Sequence, residues 1–336
     1  MMNNLDHKGL PLTIKEIKTA YELLEGKVRK TPLVKSFYLT SKSEGEIYLK
    51  LENMQLTGSF KFRGAFNKIS HLTEEERSKG IIACSAGNHA QGVALSSKLL
   101  HIKSKIIMPL TAPKAKVEAT EGYGSNIILH GDTFDDAKDY CAKVRDETGE
   151  TFIHPYDDIY IMAGQGTIGI EVLDDLWDVD TIIVPIGGGG LISGIAVALK
   201  SFNPSIDIIG VQAENVHGMK ASIDAGEIVS NYIAPTIADG CSVKVPGKLT
   251  YEIVKELVTE IILVSEEEIE VAMKDLLQRG KAVVEGSGAL ATAAILSGKA
   301  SKYIKDKKVV AIISGGNVDL ERISSVCEHF FGNEVK

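Results

Sequence analysis

TIIVPIGGGGLISGIAVALKSFNP, Thr181 to Pro204, sets an apolar, β-branched run before four consecutive glycines and a longer apolar run behind them. The first run reads as a strand buried on both faces. The second has helical length and stops at Asn203-Pro204. Between them, Gly187 to Gly190 carry no Cβ, so several backbone N–H groups can close on one anion. The helix N-terminus that follows favours negative charge. A flexible linker is the bland alternative, but linkers do not stand between a buried strand and an apolar helix. The stretch is a strand, a phosphate-binding turn and a helix.

The same scheme recurs on both sides. It appears in GIIACSAGNHAQGVALSSKLL from Gly80, in KIIMPLTAPKAKVEATEGYG from Lys105 and in NIILHGDTFDDAKDYCAKVRDETG from Asn126. KKVVAIISGGNVDLERI, from Lys307, is the last copy. Pro113 and Gly122 mark the ends of one helix, and Asp132 is the expected N-cap of another. SEEEIEVAMKDLLQRG adds a helix with a Ser265–Glu268 capping box and a stop at Gly280. Strands that alternate with helices and are apolar on both faces mean an α/β protein with parallel sheets.

Composition narrows the function. With 37 basic and 45 acidic residues in 336, the net charge is −8, which argues against a nucleic-acid partner. No run is long and apolar enough to span a bilayer, and the start, MMNNLDHKGLPLTIKEI, lacks a signal-peptide core. A cytoplasmic protein with no membrane partner is expected. Cys84, Cys141, Cys241 and Cys327 are widely spaced, which speaks against a zinc site or a disulfide framework.

Three more stretches carry polar chemistry. TGSFKFRGA, Thr57 to Ala65, sets Lys61 between two phenylalanines. Such a lysine is either a nucleophile or base in a pocket, or a stem lying along an apolar edge with its head in water. In SAGNHAQG, Ser85, Asn88 and His89 sit at a helix start where a carboxylate could be held. SGGN, Ser314 to Asn317, closes the last strand. In open α/β sheets ligands bind beyond the carboxyl ends of strands, so one cleft can collect these turns. Leu191-Ile192 excludes a Walker A loop. A dinucleotide at the GxGxxG-like spacing, with Glu214 after the next strand, stays open as an NAD-dependent oxidoreductase reading.

Taken in order, SFKFRGA, SAGNHAQG, GGGGL and SGGN resemble the pyridoxal-phosphate enzymes of the tryptophan-synthase-β type, fold type II. Within that group the chain is similar to the short catabolic threonine dehydratases, through ENMQLTGSFKFRGAFNK, YDDIYIMAGQGTIGIE, VQAENVHGM and ADGCSV. The resemblance implies two open, twisted, mainly parallel sheets with helices on both faces. A small mobile domain, 54–155, would be inserted in a large one formed by 1–53 and 156–336. It implies elimination of water and ammonia from L-threonine to give 2-oxobutanoate, with L-serine as a second substrate. Lys61 would carry pyridoxal 5'-phosphate through an imine and serve as catalytic base. Phe60 would lie on the ring, Asn88 would meet its phenolic oxygen, Gly187, Gly188, Gly189, Gly190 and Leu191 would hold the phosphate, and Ser314 would face the ring nitrogen. Ser85, Ala86, Asn88 and His89 would hold the substrate carboxylate. Glu285 would either border the substrate hydroxyl or cap a helix.

Departures refine the expectation. Serine racemases of this fold carry a second serine where this chain has Ala86, which favours elimination over racemisation. Gln212 and Gly218 replace two of the racemases' metal ligands, so no metal is expected. The chain ends at Lys336, without room for the C-terminal regulatory domain of the biosynthetic enzymes. Some catabolic relatives are activated by AMP near the positions of Leu56, Thr57, Gln91 and Asn317, and Leu56 departs from the arginine offered elsewhere. Homodimers or homotetramers are usual in the group.

Overall fold

The structure, a computed structural model, describes residues 9–331. The opening MMNNLDHK, read above for a targeting signal, and the last residues to Lys336 lie outside them. The strands are β1 Leu33–Lys35, β2 Glu46–Leu51, β3 Ile81–Cys84, β4 Ser104–Met108 and β5 Asn126–Leu129, then β6 Thr151–Phe152, β7 Thr181–Pro185, β8 Asp207–Ala213, β9 Glu260–Val264 and β10 Lys308–Ile313. They form two sheets, ordered β1-β2-β10-β7-β8-β9 and β5-β4-β3-β6. Every pairing is parallel except β1 with β2.

The two-residue period of a strand explains why both faces must be apolar. In the large sheet Ile183, Ile209, Val211 and Ile313 face one core, with the helix Gly286–Leu296 on it. Ile182, Val184, Ile208 and Ile312 face the other, under the helices Ile159–Asp175 and Gly190–Phe202. The small sheet repeats this: Ile81, Ala83 and Ile106 lie on one side, and Ile82, Cys84 and Ile107 on the other. Among the described residues no helix is long and apolar enough to cross a membrane, and the four cysteines are free.

Strand order places the cleft. From β7 the chain steps outward to β8 and β9, then returns to lay β10 on the other side of β7. Such a reversal opens a crevice at the carboxyl ends of the two strands. The tetraglycine turn follows β7 and Ser314 follows β10, so both enter it.

Helix ends obey their caps, with one shift. The Ser265–Glu268 box forms as expected, but Thr133, not Asp132, caps Phe134–Thr148. Its hydroxyl accepts from Asp136 N while Asp136 takes the Thr133 N–H, a box one residue further on.

The helices Lys61–Ser70 and Ile159–Asp175 touch backbone to backbone. A Cβ on Gly164 would lie 2.6 Å from the Cα of Gly64 and 2.7 Å from the carbonyl of Arg63. Gly164→Ala is therefore expected to cost about 1–3 kcal/mol by overpacking. Urea unfolding checks this: the midpoint should fall at constant slope. An unchanged midpoint would mean that the helices part freely.

Candidate active site

Lys61 opens the helix Lys61–Ser70 directly behind the end of β10. Phe60 N donates to the Ser314 carbonyl at 3.1 Å, and Ser59 bridges Gly315, so the TGSFK turn runs beside the SGGN turn. The Lys61 ammonium donates to the Pro155 carbonyl at 2.9 Å and lies 5.2 Å from the centre of the Phe60 ring. Loss of hydration lowers its pKa to about 8, against the opposing pull of Cys241 and Glu285. A lysine so placed is partly the free amine near neutral pH. Of the two sequence readings, the geometry supports the nucleophile.

The tetraglycine turn admits no side chains. A Cβ would stand 3.1 Å from Cys241 Cα at Gly187, 2.4 Å from the Tyr156 ring at Gly188 and 2.9 Å from the Tyr156 carbonyl at Gly190. Gly189 has φ +97°, a conformation that only glycine adopts without strain. The helix Gly190–Phe202 begins here, so its first-turn N–H groups, including that of Leu191, have no carbonyl of their own helix to bond. Thr250 holds the turn from outside, its hydroxyl donating to the Gly188 carbonyl at 2.7 Å.

The SAGNH turn closes the third side. Ser85 Oγ accepts from Gly87 N, with Ala86 half-buried between them. His89 is buried, and burial and the neighbouring Lys61 push its pKa down to about 3. It is therefore neutral, with Nε2–H donating to the Ile153 carbonyl at 2.8 Å, and it braces the turn from below. Asn88 Nδ2 donates to Glu285 Oε1 at 2.6 Å, and Asn88 Oδ1 accepts from Asn317 Nδ2 at 2.8 Å. Asn317 Nδ2 also donates to the Thr57 carbonyl. Thr57 and Asn317 thus meet, whereas Leu56 turns an exposed side chain outward and Gln91 is buried in the helix Asn88–Leu99.

Glu285 resolves one open reading. It occupies the N-cap position of Gly286–Leu296 but makes no side-chain cap, turning to Asn88 instead. Burial first, and Asp239 second, raise its pKa from 4.5 to about 8, although Asn88, Lys116 and Lys61 oppose the shift. At neutral pH it is largely a carboxylic acid, able to donate a proton.

A linkage prediction follows for the cofactor-free chain. Between about pH 4.5 and 8 the folded chain holds a proton on Glu285 that the unfolded chain has released. The Glu285 contribution to stability should fall as pH rises through that window, while His89, neutral when folded, adds a rise that ends near pH 6.5. Lys61 acts oppositely above about 8, where the folded chain has lost a proton that the unfolded chain keeps up to 10.5. Glu285→Gln is expected to remove the falling contribution, so that the variant's slope is more positive than the wild-type slope below pH 8, and to leave the rise due to Lys61. Urea midpoints from pH 5 to 10 read both, and equal slopes below pH 8 in the two proteins would contradict the assignment.

Sequence reasoning did not single out Tyr156, Cys241 or Ser287 as site residues. The Tyr156 ring covers Gly188, Cys241 backs Gly187, and the Ser287 hydroxyl is buried without a partner. No periodicity or motif marks them, because each reaches the cleft from a loop or helix start far along the chain. Glu214, which the dinucleotide reading needs, pairs with Lys299 at 3.2 Å. Gln212 is structural: it accepts from Lys220 N at 2.9 Å. Among the described residues no group of three or more His, Cys, Asp or Glu could hold a metal.

Comparison with known proteins agrees with this geometry. Residues 24–315 match the family described as pyridoxal-phosphate dependent enzyme. The catabolic L-threonine dehydratase of Staphylococcus aureus strain USA300 is 61% identical over 320 residues, 95% of this chain and 92% of the relative. Maize serine racemase superposes with a TM-score of 0.89 at 37% identity, covering 97% of this chain and 99% of that one. The processed form of threonine deaminase isoform 2 from Solanum lycopersicum gives 0.89 at 35%, covering 98% and 97%. The cleft fits pyridoxal phosphate on its own terms: a side-chain-free cradle at a helix N-terminus, an amine of lowered pKa, and an orphaned hydroxyl at Ser287. The chain belongs to the family of pyridoxal-phosphate-dependent enzymes, with the fold of their type II group.

Proposed function

We propose that this chain removes water and ammonia from L-threonine, releasing 2-oxobutanoate, and treats L-serine likewise to give pyruvate. The observation that carries the reading is the Lys61 amine, 2.9 Å from the Pro155 carbonyl and beside Phe60, in a cleft shared with the tetraglycine turn. The likeness to catabolic threonine dehydratase supports the choice of substrate. Bound pyridoxal phosphate supplies a conjugated electron sink that acidifies the Cα–H bond of an attached amino acid.

The chain's own residues do the rest. Gly187 to Leu191 would hold the phosphate, and Phe60 would lie against the ring. Asn88 would donate toward the ring's phenolic oxygen. Ser314 would face the ring nitrogen, where a hydroxyl, unlike a carboxylate, does not enforce its protonation. Ser85, Asn88 and the backbone N–H groups of Ala86 and His89 would hold the substrate carboxylate, which fixes the direction of the Cα–H bond. Lys61 is the catalytic residue: its Nζ takes the Cα proton. Glu285, neutral at working pH, faces the same cleft as a proton source.

Within the small domain, 54–155, the part that closes over the substrate and excludes water is the four-stranded sheet with its helices, while the first helix, Lys61–Ser70, stays locked on Ile159–Asp175. The separate four-stranded sheet within this segment supports the division, and Lys116, which reaches Asp239 at 2.7 Å, is a contact such closure would make. The effector reading keeps AMP near Leu56, Thr57, Gln91 and Asn317, and the Thr57–Asn317–Asn88 hydrogen bonds would couple that position to the site. A homodimer or homotetramer, without nucleic-acid or membrane partners and located in the cytoplasm, completes the proposal.

Purified protein loaded with pyridoxal phosphate, given each amino acid with and without AMP, tests it. One keto acid per ammonia from threonine and serine is expected. Interconversion of serine enantiomers without keto acid, or no ammonia from either substrate, would overturn it.

A further inference from the structure

Two residues beyond Lys61, Arg63 is buried with Lys50, Glu52 and Glu171, two cations and two anions shut away from water. Arg63 forks onto Glu52, Nε to Oε2 and Nη2 to Oε1, both at 2.8 Å. Its other edge meets Glu171 Oε2 at 3.0 Å and Thr167 Oγ1 at 3.3 Å. Lys50 Nζ completes the balance, donating to Glu171 Oε2 at 2.6 Å and to the Thr31 carbonyl at 2.7 Å. Burial works against the charge on Glu52, yet Arg63 holds its carboxyl below the usual range.

Stability alone does not account for such a cluster, because well-packed apolar residues often stabilise as much. What the cluster adds is orientation. A planar guanidinium held on two edges by carboxylates fixes a rotation as well as a distance. Its partners are rigid: Lys50 lies in β2, Glu52 directly follows that strand, and Glu171 lies on the helix Ile159–Asp175. On a helix, residues two apart point about 200° from one another, so Arg63 grips the side opposite Lys61. Two further bonds pin the same turn, Phe60 N to the Ser314 carbonyl and Gly64 N to Gln165 Oε1 at 3.2 Å.

We propose that the Arg63–Glu52–Glu171–Lys50 cluster is a positioning device that sets the rotation of the first turn, so that Lys61 Nζ points at the aldehyde carbon of the cofactor. This rests on Lys61 bearing the cofactor and does not depend on which amino acid is the substrate. Three variants test it: Arg63→Lys, which keeps charge and loses the fork; the charge-balanced double variant Lys50→Met with Glu171→Gln; and Thr167→Val, which removes one acceptor of Arg63 and leaves every charge. The first readout is the rate at which cofactor-free protein, mixed with pyridoxal phosphate, becomes borohydride-fixed on the Lys61 peptide, normalised to the folded fraction by circular dichroism. The second is kcat against KM.

Arg63→Lys and the double variant should attach the cofactor at least about tenfold more slowly and lose about 100-fold in kcat, the cost of an ångström of misplacement, with KM moved less than threefold. Thr167→Val, the mildest change, should slow attachment about threefold and keeps the test readable if a charge variant does not fold. Wild-type attachment rates and kcat in the folded fraction would overturn the proposal and leave the cluster purely structural. If wild-type protein fixed the cofactor on Lys61 but released no keto acid, the substrate reading would fail while the attachment rates still decided this one.

Discussion

Lys61→Ala is expected to lose threonine deamination by at least ~10⁴-fold, because one substitution removes both the covalent anchor of the cofactor and the base at Cα. The visible cofactor band should vanish with it. Lys61→Arg should behave the same way: a guanidinium keeps the charge but does not give up its proton in proteins. Folding should survive, since the substitution deletes an amine whose lowered pKa reports unfavourable burial, and its hydrogen bond is to a single carbonyl, that of Pro155. Steady-state rates, absorbance and a thermal scan check the three statements together. Retained turnover in a folded Lys61→Ala protein would refute the assignment of the base.

The second large effect is at Gly189. Its φ of +97° lies where a Cβ costs about 1–2 kcal/mol. A Cβ there would also stand 2.7 Å from Met219 Cε and 2.8 Å from Thr250 Cβ. Relief requires the turn to flatten, which draws the N–H groups of Gly190 and Leu191 away from a common centre. Gly189→Val is expected to weaken pyridoxal phosphate binding by at least ~100-fold, about 2.7 kcal/mol, and free pyridoxal should be affected far less because it lacks the phosphate. Titration of cofactor-free protein with each aldehyde separates the two. Equal losses for both would place the damage in the ring site and not in the cradle.

How far the sequence announces this molecule depends on whether the signal is local. Strands such as Ile81–Cys84 and Thr181–Pro185 are buried along their whole length, and that apolar run is legible without a structure. The tetraglycine turn and the Lys61 turn are legible for the same reason, because neighbouring residues carry their chemistry. The partition of the described strands into two sheets is not, since parallel strands buried on both faces look alike wherever they pair. The shift from Asp132 to Thr133 reflects two acceptable caps side by side, chosen by the carboxylate of Asp136. Glu285 gains its raised pKa from burial first and from Asp239 second, neither of which its neighbours in the chain reveal. The Arg63 cluster is invisible for the same cause: its four charges come from three segments, Lys50 with Glu52, Arg63, and Glu171, and each alone reads as an ordinary surface residue.

The most direct measurement is a peptide map of the borohydride-treated, cofactor-loaded protein. A single pyridoxyl group on the peptide containing Lys61 is predicted, absent from Lys61→Ala. The group on another lysine, or an active enzyme in which no lysine is modified, would contradict the account at its centre.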